Sequence, residues 1–186
     1  MPIVTATLIE GYDADTRARL SRALTDAVRS VIDAPVEAVT VVLNEVPADN
    51  YMRGGQRRVP GPPRPPASQT VRDFLAAMER RDLAAAGALL ADGFTMTFPG
   101  GVVFGRLEEL VAWARDRYAA IAKTYERFEE FPVDGGAAVY CFGTLHGQWP
   151  DGRPFDGIRF IDRFTVADGK LADQRVWNDL AEAAGR

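Results

Sequence analysis

The chain has 186 residues, 47% of them hydrophobic and 26% charged, with a net charge of −4. This composition is typical of a globular protein, and its mildly acidic balance argues against nucleic-acid or membrane-surface binding. One histidine and one cysteine argue against a zinc-type site, and Cys141 has no partner for an internal disulfide. With no secretory signal and no apolar run of about 20 residues, we expect a cytoplasmic protein without metal or other cofactor.

A proline-rich segment divides the chain. Residues 57–67 read RRVPGPPRPPA, and because proline lacks a backbone donor and fixes φ, this stretch is unsuited to a sheet. We predict a first domain at 1–56, a linker at 57–67 and a second domain at 68–186.

The first domain has the pattern of a β-α-β unit. Pro2–Ile9 is rich in β-forming residues, Asp13 is a candidate helix N-cap, and Val39–Val46 is a second candidate strand. Apolar residues recur at helical spacing between the strands, at Leu20, Leu24, Ala27, Val28 and Val31. Because a domain of this size buries only a small hydrophobic core by itself, we expect it to associate with partners.

The second domain begins with helical patterns and continues with strands. Ser68 and Asp82 are candidate caps of two helices, the second reaching Leu90, and strands follow at Phe94–Phe98 and Val102–Phe104. A long amphipathic helix is predicted over Leu107–Tyr125. Three longer strands are predicted after it, at Ala137–Trp149, Pro154–Val166 and Leu171–Asn178, with a tight turn at Asp168–Gly169. Helices before a meander indicate an α+β domain with a curved, mostly antiparallel sheet.

Proline at position 2 has chemical consequences once Met1 is removed. The chain then starts with a secondary amine, and an apolar pocket disfavours its ammonium form, leaving a base for proton transfer. Proline at this position is also common without any function, so the residue alone indicates little.

The surrounding residues resemble the 4-oxalocrotonate tautomerase family. The matching segments are PIVTATLIEGYDAD at Pro2–Asp15, DAP at Asp33–Pro35, VTVVLNEVP at Val39–Pro47 and NYMRGG at Asn50–Gly55. The resemblance implies Pro2 as general base, a small carbonyl or enol substrate, and assembly as trimers or hexamers.

The pocket implied by this resemblance departs from the family pattern. Tyr12 and Thr40 stand where relatives that act on dicarboxylates have arginines, and neither can bind a carboxylate bidentately. Tyr51 matches the family's pocket aromatic residue. Arg53 could replace the lost charge or could be a solvated loop residue. A neutral or mono-anionic enol, ketone or phenol therefore fits better than a dicarboxylate.

The second domain resembles the nuclear transport factor 2-like fold, in particular SnoaL-like polyketide cyclases. The matching segments are TVRDFLAAMERRDLAAAGALLADGF at Thr70–Phe94, FGRLEEL at Phe104–Leu110, RFIDRFTVADGKL at Arg159–Leu171 and VWNDL at Val176–Leu180. This fold hosts isomerases, cyclases, dehydratases and binding modules, so it does not fix a function.

Strand alternation singles out Asp162, which shares a face with Ile158, Phe160, Phe164 and Val166. Burial among apolar side chains disfavours a charged carboxyl and would suit it to acid/base work. The resemblance also implies an inward aspartate at this position. The alternative is a structural aspartate paired with Arg175 or another arginine.

Four more residues are candidates around Asp162. His146 and Tyr140 share a face of their strand and would join Asp162 if that face points inward, which alternation does not decide. His146 could equally be an edge residue. Trp177 and Asp179 could line the same pocket, although Trp177 also suits a core position.

The sequence thus predicts an isomerase in which Pro2 acts on an enol or ketone. The second domain could couple this reaction to cyclisation or isomerisation of a polyketide-like or aromatic intermediate. A second interpretation leaves only one domain catalytic, the other serving for ligand binding or oligomerisation, including dimer contacts through the second domain. A third, in which both domains only bind, would be favoured by retention of Met1.

Overall fold

The computed structural model describes residues 1–184. These residues form two compact units, Met1–Arg64 and the chain from Pro65 onward. The border lies inside the proline-rich segment.

The first unit is a β-α-β unit, as predicted. It contains β1 (Ile3–Ile9), α1 (Ala14–Arg29) and β2 (Thr40–Val46), followed by two short paired strands, β3 (Met52–Arg53) and β4 (Gln56–Arg57). β1 and β2 are parallel and pair from Ile3↔Thr40 to Ile9↔Val46. The predicted cap is confirmed, since the backbone N–H of Thr16 donates to Asp13 Oδ1 at 2.7 Å.

One face of this two-stranded sheet is left uncovered. The half-buried residues Val4, Ala6, Leu8, Val41 and Leu43 alternate with exposed residues that share the other face: Ile3, Thr5, Thr7, Thr40, Val42 and Asn44. No residue of the first unit is fully buried. We call the exposed set the open face.

The second unit is an α+β structure, as predicted. Its helices are α2 (Ala67–Glu79), α3 (Leu83–Gly87), α4 (Leu107–Ala114) and α5 (Leu180–Ala184). Its strands are β5 (Leu90–Phe98), β6 (Val102–Phe104), β7 (Ala120–Val133), β8 (Gly136–Gln148), β9 (Pro154–Ala167) and β10 (Lys170–Asn178).

These strands form one six-stranded sheet in the order β6-β5-β10-β9-β8-β7. All neighbours are antiparallel except β5 and β10, which run parallel. Helix α2 packs on the inner face, where the buried Phe74 meets Phe94 and Phe164 edge-on with ring centroids 6.2 and 5.9 Å apart.

Turn and cap predictions in this unit had mixed outcomes. Asp168 and Gly169 adopt φ of 50° and 78° between β9 and β10, which confirms the turn. Asp82 Oδ1 accepts from the Ala85 N–H at 3.0 Å, which confirms the second cap. The predicted Ser68 cap is wrong, because α2 already begins at Ala67 and the Ser68 N–H donates to Glu130.

Two boundaries also differ from the prediction. Helix α3 ends at Gly87, and Leu90 already belongs to β5. The long helix over Leu107–Tyr125 is wrong: α4 ends at Ala114 and β7 begins at Ala120. β7 pairs with β8 from Ala120↔Gln148 to Val133↔Gly136, so the ladder overrides the local helical pattern.

Candidate functional site

Pro2 lies at the beginning of β1 in a half-buried position. Its carbonyl oxygen accepts from the Thr40 N–H at 3.0 Å, and Thr40 is exposed on the open face. The structure therefore brings together two of the predicted residues of the first unit.

The other three predicted residues of this unit share a shallow groove. Tyr12, Tyr51 and Arg53 line it, together with Arg58. Arg53 lies on β3, and the Arg58 N–H donates to the Tyr51 carbonyl at 3.3 Å. Two guanidinium groups beside two phenols can bind a carboxylate and flank a small planar molecule. We call this the N-terminal groove.

Within one chain, Pro2 and the N-terminal groove lie at opposite ends of β1. Pro2 precedes the strand, and Tyr12 follows it. The groove residue of β1 nearest to Pro2 is Thr7, five residues along the strand, which at about 3.3 Å per residue places them roughly 16 Å apart. A molecule held in this groove is thus out of reach of the Pro2 nitrogen of the same chain.

The second unit contains a cavity of about 170 Å³ between its helices and the inner face of the sheet. Aromatic side chains form much of its wall: Phe74, Phe98, Trp113, Tyr118, Tyr125 and Phe160. Its polar lining residues are Glu79, Arg81, Arg117, Lys123, Asp162, Gln174 and Asn178. We call it the C-terminal cavity.

Asp162 points into this unit's interior, as alternation predicted. It is 0% exposed and lines the cavity. Its Oδ2 accepts a hydrogen bond from Lys123 Nζ and forms an ion pair with it. Its Oδ1 is the one buried side-chain polar atom without a hydrogen-bond partner among residues 1–184. The arginine partner named in the structural alternative is wrong, because Lys123 on β7 takes that place.

The buried surroundings of Asp162 raise the pKa values of two neighbouring side chains, Cys141 and Tyr125. Burial first, and the Asp162 carboxylate second, raise the pKa of the Cys141 thiol to about 12. Burial, with smaller contributions from the Cys141 and Asp162 charges, also raises the pKa of Tyr125. Both groups stay protonated at neutral pH and surround Asp162 with neutral side chains.

His146 and Tyr140 do not join Asp162. On β8 the inward positions are Val139, Cys141, Gly143 and Leu145, so the face with Tyr140 and His146 points away from the cavity. His146 Nδ1 lies 3.4 Å from Thr124 Oγ1 instead. The condition for their proposed roles is not met, and neither lines the cavity.

Trp177 and Asp179 also lie outside the C-terminal cavity. Trp177 is 51% exposed, since Val176 occupies the inward position beside it on β10. Asp179 pairs with Arg159, with 2.7 Å between Asp179 Oδ2 and Arg159 Nη2. Neither residue lines the C-terminal cavity, because Trp177 is on the outward side of β10 and Asp179 follows the end of that strand.

Two residues with site chemistry were missed from the sequence. Lys123 falls within the predicted helix Leu107–Tyr125, although Ile121, Lys123 and Tyr125 alternate with smaller residues as in a strand. Arg58 was assigned to the linker. The alternation around Lys123 was a usable signal, whereas the place of Arg58 depends on the β3–β4 turn.

The described residues give no sign of two other kinds of site. Residues 1–184 contain no cluster of three or more His, Cys, Asp or Glu side chains placed to hold a metal ion. None of the helices described above is long and apolar enough to cross a membrane.

Known proteins match the first unit along its length. The family described as tautomerase enzyme matches residues 2–59. A probable tautomerase of Ralstonia nicotianae is 37% identical over 76 residues, covering 41% of this chain and 100% of the relative. The 2-hydroxymuconate tautomerase of Pseudomonas putida is 32% identical over 56 residues, covering 30% of this chain and 89% of the relative.

The second unit matches a different family. The SnoaL-like domain family matches residues 71–174. An NTF2-like protein from Burkholderia pseudomallei superposes with a TM-score of 0.56 at 22% identity, covering 64% of this chain and 95% of the other. One from Burkholderia thailandensis gives 0.54 at 21% identity, covering 65% and 96%. These likenesses show the fold of the second unit.

The chain is an isomerase, as the match of its β-α-β unit to tautomerases shows, and its α+β unit adds a second fold. The chain belongs to the tautomerase enzyme family through its first unit and to the SnoaL-like domain family through its second.

Proposed function

We propose that the chain is a tautomerase of small molecules in which Pro2, freed by removal of Met1, is the general base on an enol or ketone. The observation that carries this proposal is the family match that begins at Pro2 and covers the whole β-α-β unit. The half-buried position of Pro2 supports it, because partial burial favours the uncharged amine.

The N-terminal groove supports a mono-anionic substrate. Tyr12 and Thr40 lack the positive charge that a second carboxylate would need, whereas Arg53 and Arg58 provide charge at one end of the groove. Tyr12 and Tyr51 add flat apolar surface and hydroxyl groups. An enol or ketone with one carboxylate and an apolar body fits these residues.

Assembly into a trimer or hexamer would complete this site. The open face exposes apolar side chains, with Ile3 67% and Val42 39% exposed. Most of β1 lies between Pro2 and the N-terminal groove of the same chain. The groove that serves a given Pro2 therefore belongs to a neighbouring copy in this proposal. Cyclic or dihedral symmetry repeats that contact around the assembly.

The experiment that tests the proposal is ketonisation of phenylenolpyruvate, a mono-anionic aromatic enol. Protein verified by mass to lack Met1 is compared with a Pro2→Ala variant of equal oligomeric state. Loss of a general base should lower the rate by about a hundredfold or more. Equal rates in the two proteins would contradict the role of Pro2.

A second catalytic site at Asp162 is favoured by one observation. This carboxylate is fully buried, lines an aromatic cavity and leaves one oxygen without a partner, an arrangement suited to proton transfer. The second unit would then isomerise or cyclise an intermediate that the first unit sets in its keto or enol form. In the alternative, only one unit is catalytic and the other binds a ligand or mediates assembly. A substitution of Pro2 or Asp162 in the non-catalytic unit would then leave turnover unchanged.

A further inference from the structure

The Lys123–Asp162 pair has unused hydrogen-bonding capacity on both partners. Asp162 Oδ1 is a buried acceptor without a donor, and leaving such a group unpaired destabilises the folded state. The Lys123 ammonium has three donors, and the one hydrogen bond the structure gives it goes to Asp162 Oδ2. A free acceptor and free donors therefore lie side by side at the cavity wall.

A hydroxyl group fits this arrangement better than a carbonyl or a carboxylate. Its hydrogen can be donated to Asp162 Oδ1 while its oxygen accepts from Lys123 Nζ. A carbonyl oxygen would leave Oδ1 without a donor, and a carboxylate would lie beside a second negative charge.

The space around the pair suits one aromatic ring. The cavity holds about 170 Å³, and apolar cavities of about 150 Å³ bind benzene. The Phe160 ring lies 4.5 Å from Lys123 Nζ, and the ring of Trp113 forms another part of the wall. A ligand with one ring can thus place its hydroxyl on the pair and its ring against these side chains.

We propose that the C-terminal cavity binds phenols and enols that carry a single aromatic ring, with Lys123 as a catalytic residue that holds the substrate oxygen. This inference deepens the second site of the proposed function and does not depend on Pro2.

The chemistry of the step is a redistribution of one proton. The enol O–H bond breaks and its proton forms an O–H bond on Asp162 Oδ1, leaving an enolate oxygen opposite the Lys123 ammonium. The proton then passes from Asp162 to the carbon of the double bond that does not carry the oxygen, where the C=C electron pair forms the new C–H bond and the C–O bond becomes a carbonyl. Asp162 ends as it began, and no other reactant is needed.

Binding of three related molecules tests the inference: phenol, anisole and toluene. Phenol can donate and accept, anisole can only accept, and toluene can do neither. Binding is followed by tryptophan fluorescence, which reports on the second unit because Trp113, Trp149 and Trp177 all lie there. We expect phenol to bind at least about tenfold more tightly than anisole, the effect of a hydrogen bond to a charged group. Equal affinities for phenol and anisole would overturn the inference without any variant.

A double variant, Lys123→Met with Asp162→Leu, locates the preference. Both residues are replaced because removing one partner of a buried pair leaves a charge that can unfold the protein, whereas replacing both by apolar groups is often tolerated. The variant should bind toluene as the wild type does and lose its preference for phenol. Lys170→Met removes the other lysine of the sequence, on β10, and should keep the preference. A preference that persists in the double variant would overturn the inference.

The Pro2→Ala protein separates this inference from the proposed function. If it keeps the phenol preference, the C-terminal cavity acts as inferred whatever Pro2 contributes to turnover. A loss of turnover in Pro2→Ala, together with equal affinities for phenol and anisole, would retain the proline tautomerase and overturn the role of Lys123.

Discussion

Cys141 and Tyr125 show what the interior around Asp162 does to a titrating side chain. Both lie next to the buried carboxylate, and burial is the largest cause of the rise in the pKa of each. A group whose folded-state pKa is raised stabilises the fold at low pH, and this contribution is lost as the pH rises from the unfolded pKa through the folded one. The second unit should therefore be sensitive to alkali.

This sensitivity gives a prediction for Cys141. Its pKa rises from 9.0 to about 12, so between these values the unfolded chain loses a proton that the folded protein keeps. The free energy of unfolding should fall there with an added slope of up to about 1.4 kcal/mol per pH unit. Urea titrations at several pH values should show a shallower fall in Cys141→Ala, whatever its stability at pH 7. Identical slopes would show that the folded thiol titrates normally.

At the scale of single residues, the sequence predicted the position of Asp162 but not its partner. Phe160, Asp162 and Phe164 share one face of β9 with Ile158 and Val166, whereas Arg159 and Arg163 share the other, and this contrast indicates the inward face. On β8 both faces carry apolar side chains, so His146 and Tyr140 could not be assigned from the pattern. Only the pairing of Cys141 with Asp162 across β8 and β9 decides it.

At the scale of elements, β8 approaches β7 closely at Gly143. A Cβ added there would collide with the Thr124 carbonyl oxygen and lie 3.0 Å from Phe160 Cε1. Lys123 and Phe160 flank this contact and both line the C-terminal cavity. The absence of a side chain at Gly143 thus allows β7 and β8 to lie close together where they form the cavity wall.

We therefore predict that Gly143→Ala destabilises the second unit by about 1–3 kcal/mol or more, the usual effect of overpacking. Chemical denaturation measures the change. Gly105→Ala is the matched control, because a Cβ at Gly105 meets nothing within 4 Å. Equal stability of the two variants would mean that β7 and β8 separate at little cost.

Element prediction succeeded at most of the local cap and turn signals, the Ser68 cap excepted, and it failed where pairing between distant strands decided the conformation. Asp13, Asp82 and the Asp168–Gly169 turn are local signals, and each holds in the structure. Residues 115–125 have no helix-breaking residue, and their apolar positions also fit a helical period. Their extended conformation follows from pairing with β8, more than 20 residues away along the chain at Ala120↔Gln148.

At the scale of the whole molecule, the two units differ in the size of their buried hydrophobic core. The second buries large side chains such as Phe74, Phe164 and Met96, whereas the first has no fully buried residue. Apolar burial is the main stabilising contribution to folding. We therefore expect the first unit to depend on association with other chains more than the second unit does.

This dependence gives a prediction for Val42→Asp. A charge on the open face should dissociate the proposed trimer or hexamer, since burying an unpaired carboxylate is unfavourable. Native mass spectrometry should show smaller species, and phenylenolpyruvate turnover should fall with them. Val42→Thr, similar in shape, should remain assembled. An Asp variant that keeps both its assembly and its turnover would place the interface elsewhere.

The position of β10 between β5 and β9 has a consequence for biosynthesis. β5 and β6 join the remaining strands only through β10, which follows β5 by more than 70 residues. A ribosome that has released β5 must still translate Lys170–Asn178 before the sheet can close. Parallel pairing over such a distance is slow to form. During synthesis the second unit should therefore expose its aromatic residues until β10 has been added. The elements β1, α1 and β2 are synthesised earlier and can associate with other chains first.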